Sequence, residues 1–329
     1  MTVSSVQAAA TSFLVRTEGS GDGVPVLLLH GVPETSSLWR DVQPALAQDR
    51  LVIAPDLPGL GGSTYSGPYD VPSLVAQLLA LLDHLVPGRQ VDVVGHDWGG
   101  SLALGLAGLA PERVRRLAVA NAPYRQVPLL RAAHIPFFAV PVAPELLFRA
   151  GGARLVDLML RIGWKSGVQL DPEARAEYTA AYTDPAKVHA MLGYYRAAAR
   201  PKLLAAVKRQ KAAGAPRVSA EKMLVLWGAA DPVLPISCGE SVVKDLGSSC
   251  AMVTVAGAGH FVIEEAPTVV LSTLQDFLAP DPTPTADSVP AKRAPAKKAA
   301  AKALAKPVPA KKAPAKRAAP KKAAPADEG

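Results

Sequence analysis

The sequence predicts a doubly wound α/β protein: a mostly parallel sheet with helices on both faces, interrupted by a helical insertion and followed by a basic tail. Three observations predict it. Over about the first 125 residues, short continuous apolar runs ending at Gly or Pro alternate with helical patterns, as buried parallel strands and their crossover helices do. That alternation stops between roughly residues 124 and 220 and then resumes. From Asp281 the composition changes to Lys, Ala and Pro.

Taken in order, "VPVLLLHG" and "LVIAPDLPG" predict two buried strands. "SLVAQLLALLDHL" has helical spacing, with Leu74, Gln77, Leu78, Leu81 and Leu82 marking its faces. "VDVVGHD" predicts a third strand, a helix begins after Asp97, and "RLAVANAP" predicts a fourth strand. The grammar resumes with strands at "KMLVLWGAADP" and "AMVTVAGAGH" and closes with the helix "TVVLSTLQDFLA". Residues 1–123 and 221–280 thus read as two parts of one core, and 281–329 as a tail. Residues 124–220, rich in Ala, Leu and Arg, read as a helical cap over the carboxyl ends of the strands, where ligands bind in such sheets. The cationic stretch "RPKLLAAVKRQK" in the cap is expected to be a solvated helix face.

Composition excludes several classes. Cys238 and Cys250 are the only cysteines, too few for a disulfide framework or a Cys-rich metal site. No H-x-x-x-H pattern or carboxylate cluster suggests a metal, and no cofactor is expected. The N-terminus lacks a cationic segment followed by an apolar one, and the richest apolar stretch, "IPFFAVPVAPELLF", is broken by Pro136, Pro141 and Pro144. A cytoplasmic protein without a membrane span is expected. The formal charge of +8 is confined to the tail, which holds 12 basic and 4 acidic residues; of the total 36 and 28, the body keeps 24 of each. "PAKR" and "PAKK" recur there from Pro290, prolines oppose a helix, and few apolar side chains remain to build a core, so the tail is expected to be disordered. It resembles the tails of linker histones and of some bacterial nucleoid proteins. That resemblance implies non-specific nucleic-acid or polyanion binding through residues 290–322; a solubilising extension is the alternative.

Three residues with catalytic potential fall just after predicted strands: Asp97 in "GHDWGG", Asp231 in "WGAADPVLP" and His260 in "GAGHFVIEEAP". Gly95, Gly99 and Gly100 bracket Asp97 in a turn of the G-x-nucleophile-x-G form, which usually carries Ser. Ser with His suits acyl transfer. A carboxylate is instead ionised near neutral pH without help and displaces a leaving group from an sp³ carbon, becoming an alkyl ester. His260, oriented by Asp231, then activates water to attack the Asp97 carbonyl carbon. That step needs an oxyanion hole, which the backbone N–H groups of Trp98 and Val32 can supply. The segment after "RLAVA" offers Asn121 but no carboxylate, so Asp231 is the better orienting acid. His30 and His96 flank tight turns and read as structural, and His84 lies in a helical pattern.

Together, "HGVPETSSLWR", "DLPGLGGS", "GHDWGG", "WGAADPVLP" and "GAGHFVIEEAP" resemble the epoxide hydrolase and haloalkane dehalogenase branch of the α/β-hydrolases, over residues 10–280. The order nucleophile, acid, His is that superfamily's order. The resemblance implies the α/β-hydrolase fold and hydrolysis of a small apolar epoxide or haloalkane by water. For epoxides it implies two cap tyrosines that protonate the leaving oxygen. "LGYYRAAAR" places Tyr195 in one of these roles, while His134 stands where the second tyrosine normally lies. Trp98, His134, Phe138 and Tyr194 are expected to line the substrate site, although Tyr194 also reads as an aromatic packed on a helix face. Dehalogenases hold the halide with the Trp after the nucleophile and either an Asn after "HG" or a cap Trp. Trp98 is present, Val32 replaces the Asn, and Trp164 is the candidate second donor. "TSSLWR" resembles dehalogenases, and "HGVPE" with Glu34 resembles epoxide hydrolases. Fluoroacetate dehalogenases pair a cap His with arginines where Trp98 and Ser101 stand, which argues against a carboxylate substrate. Epoxide hydrolysis is therefore expected, with haloalkane dehalogenation as the alternative. A degenerate hydrolase scaffold tethered by its tail is the reading from a different class.

Overall fold

The computed structural model describes residues 1–122, 124, 128, 131–199 and 218–280. The basic tail and the stretch "RPKLLAAVKRQK" lie outside the described residues. Among those residues, eight strands form one sheet: β1 (Thr2–Ala8), β2 (Thr11–Glu18), β3 (Val26–Leu29), β4 (Val52–Pro55), β5 (Val91–His96), β6 (Val114–Ala120), β7 (Lys222–Gly228) and β8 (Cys250–Val255). Their spatial order is β1-β2-β4-β3-β5-β6-β7-β8, antiparallel for the β1–β2 and β2–β4 pairs and parallel from β4 through β8. The six strands read from the sequence are all present, as β3 to β8. Every residue of β3, β4 and β5 is buried, because helices cover both faces of a parallel sheet.

The N-terminal hairpin is a departure from the sequence reading. In β2, Thr11, Phe13 and Val15 point inward on alternate positions, a half-buried pattern rather than a continuous apolar run. The two-residue turn joining it to β1 is Ala9–Ala10, with Ala9 held at a left-handed φ of 49°. Such turns normally declare themselves by Gly, Asn or Asp, and here none is present.

The helices preceding the insertion are α1 (Gln43–Leu46), α2 (Val71–Leu85) and α3 (Trp98–Leu109). Asp70 caps α2 by accepting from the Ser73 N–H, and Leu74, Leu78, Leu81 and Leu82 bury one stripe against the sheet and α3. Between β6 and β7 the described residues form only helices: α4 (His134–Ala139), α5 (Ala143–Gly151), α6 (Ala153–Gly163), α7 (Pro172–Ala181) and α8 (Pro185–Ala199). After β7 come α9 (Ile236–Leu246), α10 (Val262–Glu265) and α11 (Pro267–Leu278). Val270, Leu274 and Leu278 of α11 pack with Leu38 and Trp39 in a second core on the opposite face from α2 and α3. No helix among the described residues is long and apolar enough to cross a membrane.

Two features position the site. The strand order reverses at β3, which lies between β4 and β5, so a crevice opens at the carboxyl ends of β3 and β5. The later inserted helices are fastened to the core by buried tyrosines: Tyr182 donates to the Glu34 carbonyl at 3.0 Å and Tyr194 to the Pro58 carbonyl at 2.8 Å. Arg16 adds a bidentate pair to Glu177 of α7. Each buried phenol finds a partner for its polar tip while its ring fills the interface.

Candidate active site

Asp97 sits between the end of β5 and the first residue of α3, with φ at 47° and ψ at −118°. A non-glycine residue held there stores about 1–3 kcal/mol of backbone strain. The reward is placement, since the side chain stands above the crevice at the positive end of a helix. The close packing needs small neighbours. A Cβ on Gly99 would lie 2.3 Å from the Leu29 carbonyl oxygen, and one on Gly31 would lie 2.6 Å from the Asp97 Cβ.

The two carboxylate oxygens of Asp97 are not equivalent. Oδ2 accepts from the Val32 backbone N–H at 3.1 Å, whereas Oδ1 faces His260 Nε2 at 3.7 Å. Trp98 opens α3, so its N–H has no acceptor within the helix. The loop after β8 brings in His260, whose N–H donates to the Gly163 carbonyl at 2.9 Å and so ties that loop to the end of α6.

Asp231 follows β7 and is only 4% exposed. Its Oδ2 accepts from His260 Nδ1 at 2.8 Å and from Asn121 Nδ2 at 2.6 Å, while Oδ1 accepts from the Val233 and Leu234 backbone N–H groups. Burial pushes the Asp231 pKa up, but His260, the Leu234 N–H and Asn121 together bring it below the ordinary carboxylate range. Burial likewise favours neutral His260. The charge and hydrogen bond of Asp231, with the Asp97 charge, outweigh it and raise the imidazole pKa to about 9.

In the sequence Asn121 is only a strand-end residue that is not an acid. The fold gives it a place beside the acid: its Oδ1 accepts from the Gly228 N–H at 2.9 Å, which turns its amide nitrogen toward Asp231. β6 and β7 are spatial neighbours but lie about a hundred residues apart in sequence, so no local signal could have found this contact.

Beneath His260 lies a second buried pair. Glu34 Oε2 is 2.7 Å from His96 Nδ1 and also accepts from the Gly31 N–H, and His96 Nε2 is 2.8 Å from the His260 carbonyl oxygen. Both partners of the ring are acceptors, so hydrogen bonding specifies the doubly protonated imidazolium. Burial opposes that charge, yet Glu34 raises the His96 pKa; burial raises that of Glu34, yet His96 brings it below its usual value. The contribution of this pair is complete between about pH 4.5 and 6.5, the ordinary values of the two groups; it is lost as pH falls through the lowered pKa of Glu34 and as pH rises through the raised pKa of His96. Glu34→Ala leaves a buried cation without its counter-ion and is expected to cost on the order of 3 kcal/mol at neutral pH. Denaturant titrations of both proteins should show the difference shrinking as pH falls below about 4.5.

Over the crevice, the five-membered aromatic cluster expected from the sequence comes together. Tyr195 packs edge-on against Trp98 (centroids 5.2 Å apart), Phe138 (5.1 Å) and His134 (5.9 Å), and Tyr194 packs edge-on against Trp98 at 5.5 Å. Burial and the Asp97 charge push the Tyr195 phenol above its ordinary range, with the Trp98 side chain opposing. His134 is lowered by burial, partly offset by Asp97, which keeps it neutral with one N–H to donate. The adjacent tyrosines diverge: the Tyr194 hydroxyl is committed to the Pro58 carbonyl, while the Tyr195 phenol feels the Asp97 charge. Trp164 donates its indole N–H to the Val168 carbonyl at 2.9 Å.

The match to known proteins is broad. A family model described as alpha/beta hydrolase fold matches residues 24–267. The AB hydrolase superfamily protein YfhM of Bacillus subtilis (strain 168) is 26% identical over 281 residues, covering 80% of this chain and 93% of that protein. The soluble epoxide hydrolase of Corynebacterium sp. (strain C12) is 29% identical over 295 residues, covering 83% and 96%. Among solved structures, epoxide hydrolase A from Mycobacterium thermoresistibile aligns with a TM-score of 0.70 at 27% identity, covering 84% of this chain and 98% of that one. With its sheet order, its tight strand-to-helix turn after β5 and a family match over most of its length, this chain belongs to the α/β-hydrolase fold family.

Proposed function

We propose that this hydrolase converts an epoxide and water to a vicinal diol through a covalent ester on Asp97. The observation that carries the reading is a carboxylate, Asp97, that faces a histidine–acid pair and whose charge acts on the buried phenol of Tyr195, packed edge-on against Trp98. In the first step Asp97 Oδ1 attacks an epoxide carbon and the ring C–O bond breaks. Tyr195 gives its proton to the departing alkoxide, with the His134 N–H as the second donor. In the second step His260 takes a proton from water, and the hydroxide attacks Cγ of the ester. Negative charge then develops on Oδ2, which already accepts from the Val32 N–H, and the Trp98 N–H, unused within α3, serves as the second donor. On collapse the ester oxygen leaves with the proton of the hydroxyl newly added to Cγ, which releases the diol and restores the Asp97 carboxylate, and the proton on His260 returns to the Tyr195 phenolate by way of solvent. Phe138 and Tyr194 shape the apolar wall, and helices α4 to α8, the described helices of the insertion at 124–220, act as the cap.

Relatives named epoxide hydrolases support the choice of leaving group. So does the Trp164 indole, whose N–H is occupied by Val168, and Val32 in place of a second amide donor. Tyr195→Phe removes one hydroxyl and is expected to slow alkylation by styrene oxide roughly a hundredfold in single-turnover kinetics. Phe at position 194 should slow it far less, because that hydroxyl serves the Pro58 carbonyl. Bromide release from a bromoalkane by both the unaltered chain and Tyr195→Phe, with no diol from the epoxide, would replace this reading with dehalogenation.

For the tail we propose non-specific polyanion binding, on its net charge of +8 alone. Gel shifts with a random DNA duplex should weaken steeply between roughly 50 and 200 mM salt.

A further inference from the structure

The inserted helices carry most of the exposed apolar surface. Of the twelve large hydrophobic side chains exposed among the described residues, eight lie between Phe137 and Val168. Isolated exposed aliphatics are ordinary, but a run of them along consecutive helices marks an interaction surface.

The pattern on α6 is specific. Its inner face buries Val156 and Leu160, while its outer stripe reads Arg154, Leu158, Arg161 and Ile162 at i, i+4, i+7 and i+8, all exposed. Ile162 is 51% exposed. The preceding helix, α5, exposes Leu146 and Leu147. Ahead of it the chain turns at Val142, 62% exposed at a left-handed φ of 71°, a conformation that a β-branched residue rarely takes.

The charges on this face are of one sign. Both acidic residues in this stretch are already engaged: Glu145 pairs with Arg196, and Asp157 holds Arg175 through two hydrogen bonds and feels Arg161 only as a lesser charge. Arg149, Arg154, Arg161 and Lys165 are exposed and make no ion pair among the described residues.

We propose that the α5–α6 face docks on an anionic lipid surface, with its aliphatic side chains entering the acyl boundary and its arginines reaching up to the headgroups. Long Arg side chains lying beside Leu and Ile suit that boundary, since the stem is apolar and the guanidinium binds phosphate bidentately. A second copy of this chain is a poorer occupant. A two-fold contact would bring the same arginine-bearing patch of each copy together, with Glu145 and Asp157 already taken.

The test uses the full chain and sedimentation with vesicles of phosphatidylcholine alone or with about 30 mol % phosphatidylglycerol. The anionic vesicles should bind at least about tenfold more protein. Two double variants, Leu158→Ser with Ile162→Ser and Arg154→Glu with Arg161→Glu, should each lower that binding by about tenfold, while circular dichroism and thermal unfolding stay as in the unaltered chain. The basic tail is the same in all three proteins, so it cannot produce the difference. The proposal is overturned if either double variant binds as the unaltered chain does, or if the unaltered chain fails to bind. It is equally overturned if the unaltered chain is a dimer that Leu158→Ser with Ile162→Ser resolves into monomers.

Discussion

Asp97→Ala is expected to reduce epoxide turnover by roughly 10⁴-fold or more, because the other carboxylate beside His260, that of Asp231, is buried with both oxygens committed to hydrogen bonds and is not free to carry the ester. The loss should fall on kcat rather than on folding. Asp97 contributes one hydrogen bond from Val32, and Ala takes up the same strained backbone, so the thermal midpoint should move by no more than about 5 °C. Stopped-flow alkylation and differential scanning calorimetry on the same preparation separate the two effects. Retained turnover in a folded Asp97→Ala protein would remove Asp97 from the mechanism and direct attention to water activated directly by His260.

His260→Gln is expected to divide the reaction in two. Alkylation needs only Asp97 and a proton donor, whereas hydrolysis of the ester needs a base, so the variant should accumulate an alkyl-enzyme while its steady-state rate falls roughly 10³-fold or more. Intact-protein mass spectrometry reads the outcome and also identifies the leaving group. An epoxide adds its whole mass to the chain, whereas a haloalkane adds its alkyl group without the halogen. No adduct in folded protein that still binds substrate would sink the covalent route.

The pH behaviour follows from the same charges. His260 rests with a pKa raised to about 9, and the Asp97 charge is one of the causes. Esterification removes that charge, so the pKa falls once the intermediate forms and the ring becomes a free base when it is needed. The hydrolytic step should therefore show an apparent pKa below that of His260 in the free enzyme. For stability the sign is the usual one for a histidine with a raised pKa. The contribution is complete below about 6.5 and is lost as pH rises through about 9, and His260→Gln should lack that alkaline loss.

Much of this was legible in the sequence for an identifiable reason. Strands covered on both faces have no polar side, so β3 and β4 read as continuous apolar runs whatever else surrounds them. The N-terminal hairpin escaped because it is half-exposed and turns on two alanines. Asp97, Asp231 and His260 were conspicuous because each is a polar residue at the end of an apolar run. That position is both where a parallel sheet presents side chains to a crevice and where a sequence pattern breaks.

By itself, then, the sequence determined the layers, the place of the helical insertion and three polar residues at strand ends. The tertiary structure decided which hydrogen bonds those residues make. Tyr194 and Tyr195 are adjacent and chemically identical, yet a helix turns about 100° per residue, so one phenol meets the Pro58 carbonyl and the other ring packs between Trp98 and Phe138, where it feels the Asp97 charge. Asn121 reaches Asp231 and Glu34 reaches His96 by the same kind of placement, across 110 and 62 residues of sequence. Hydrophobic periodicity is a local property that any window of the chain displays. A polar side chain's partner depends on which strands lie side by side, and that is fixed only when the whole sheet has closed around them.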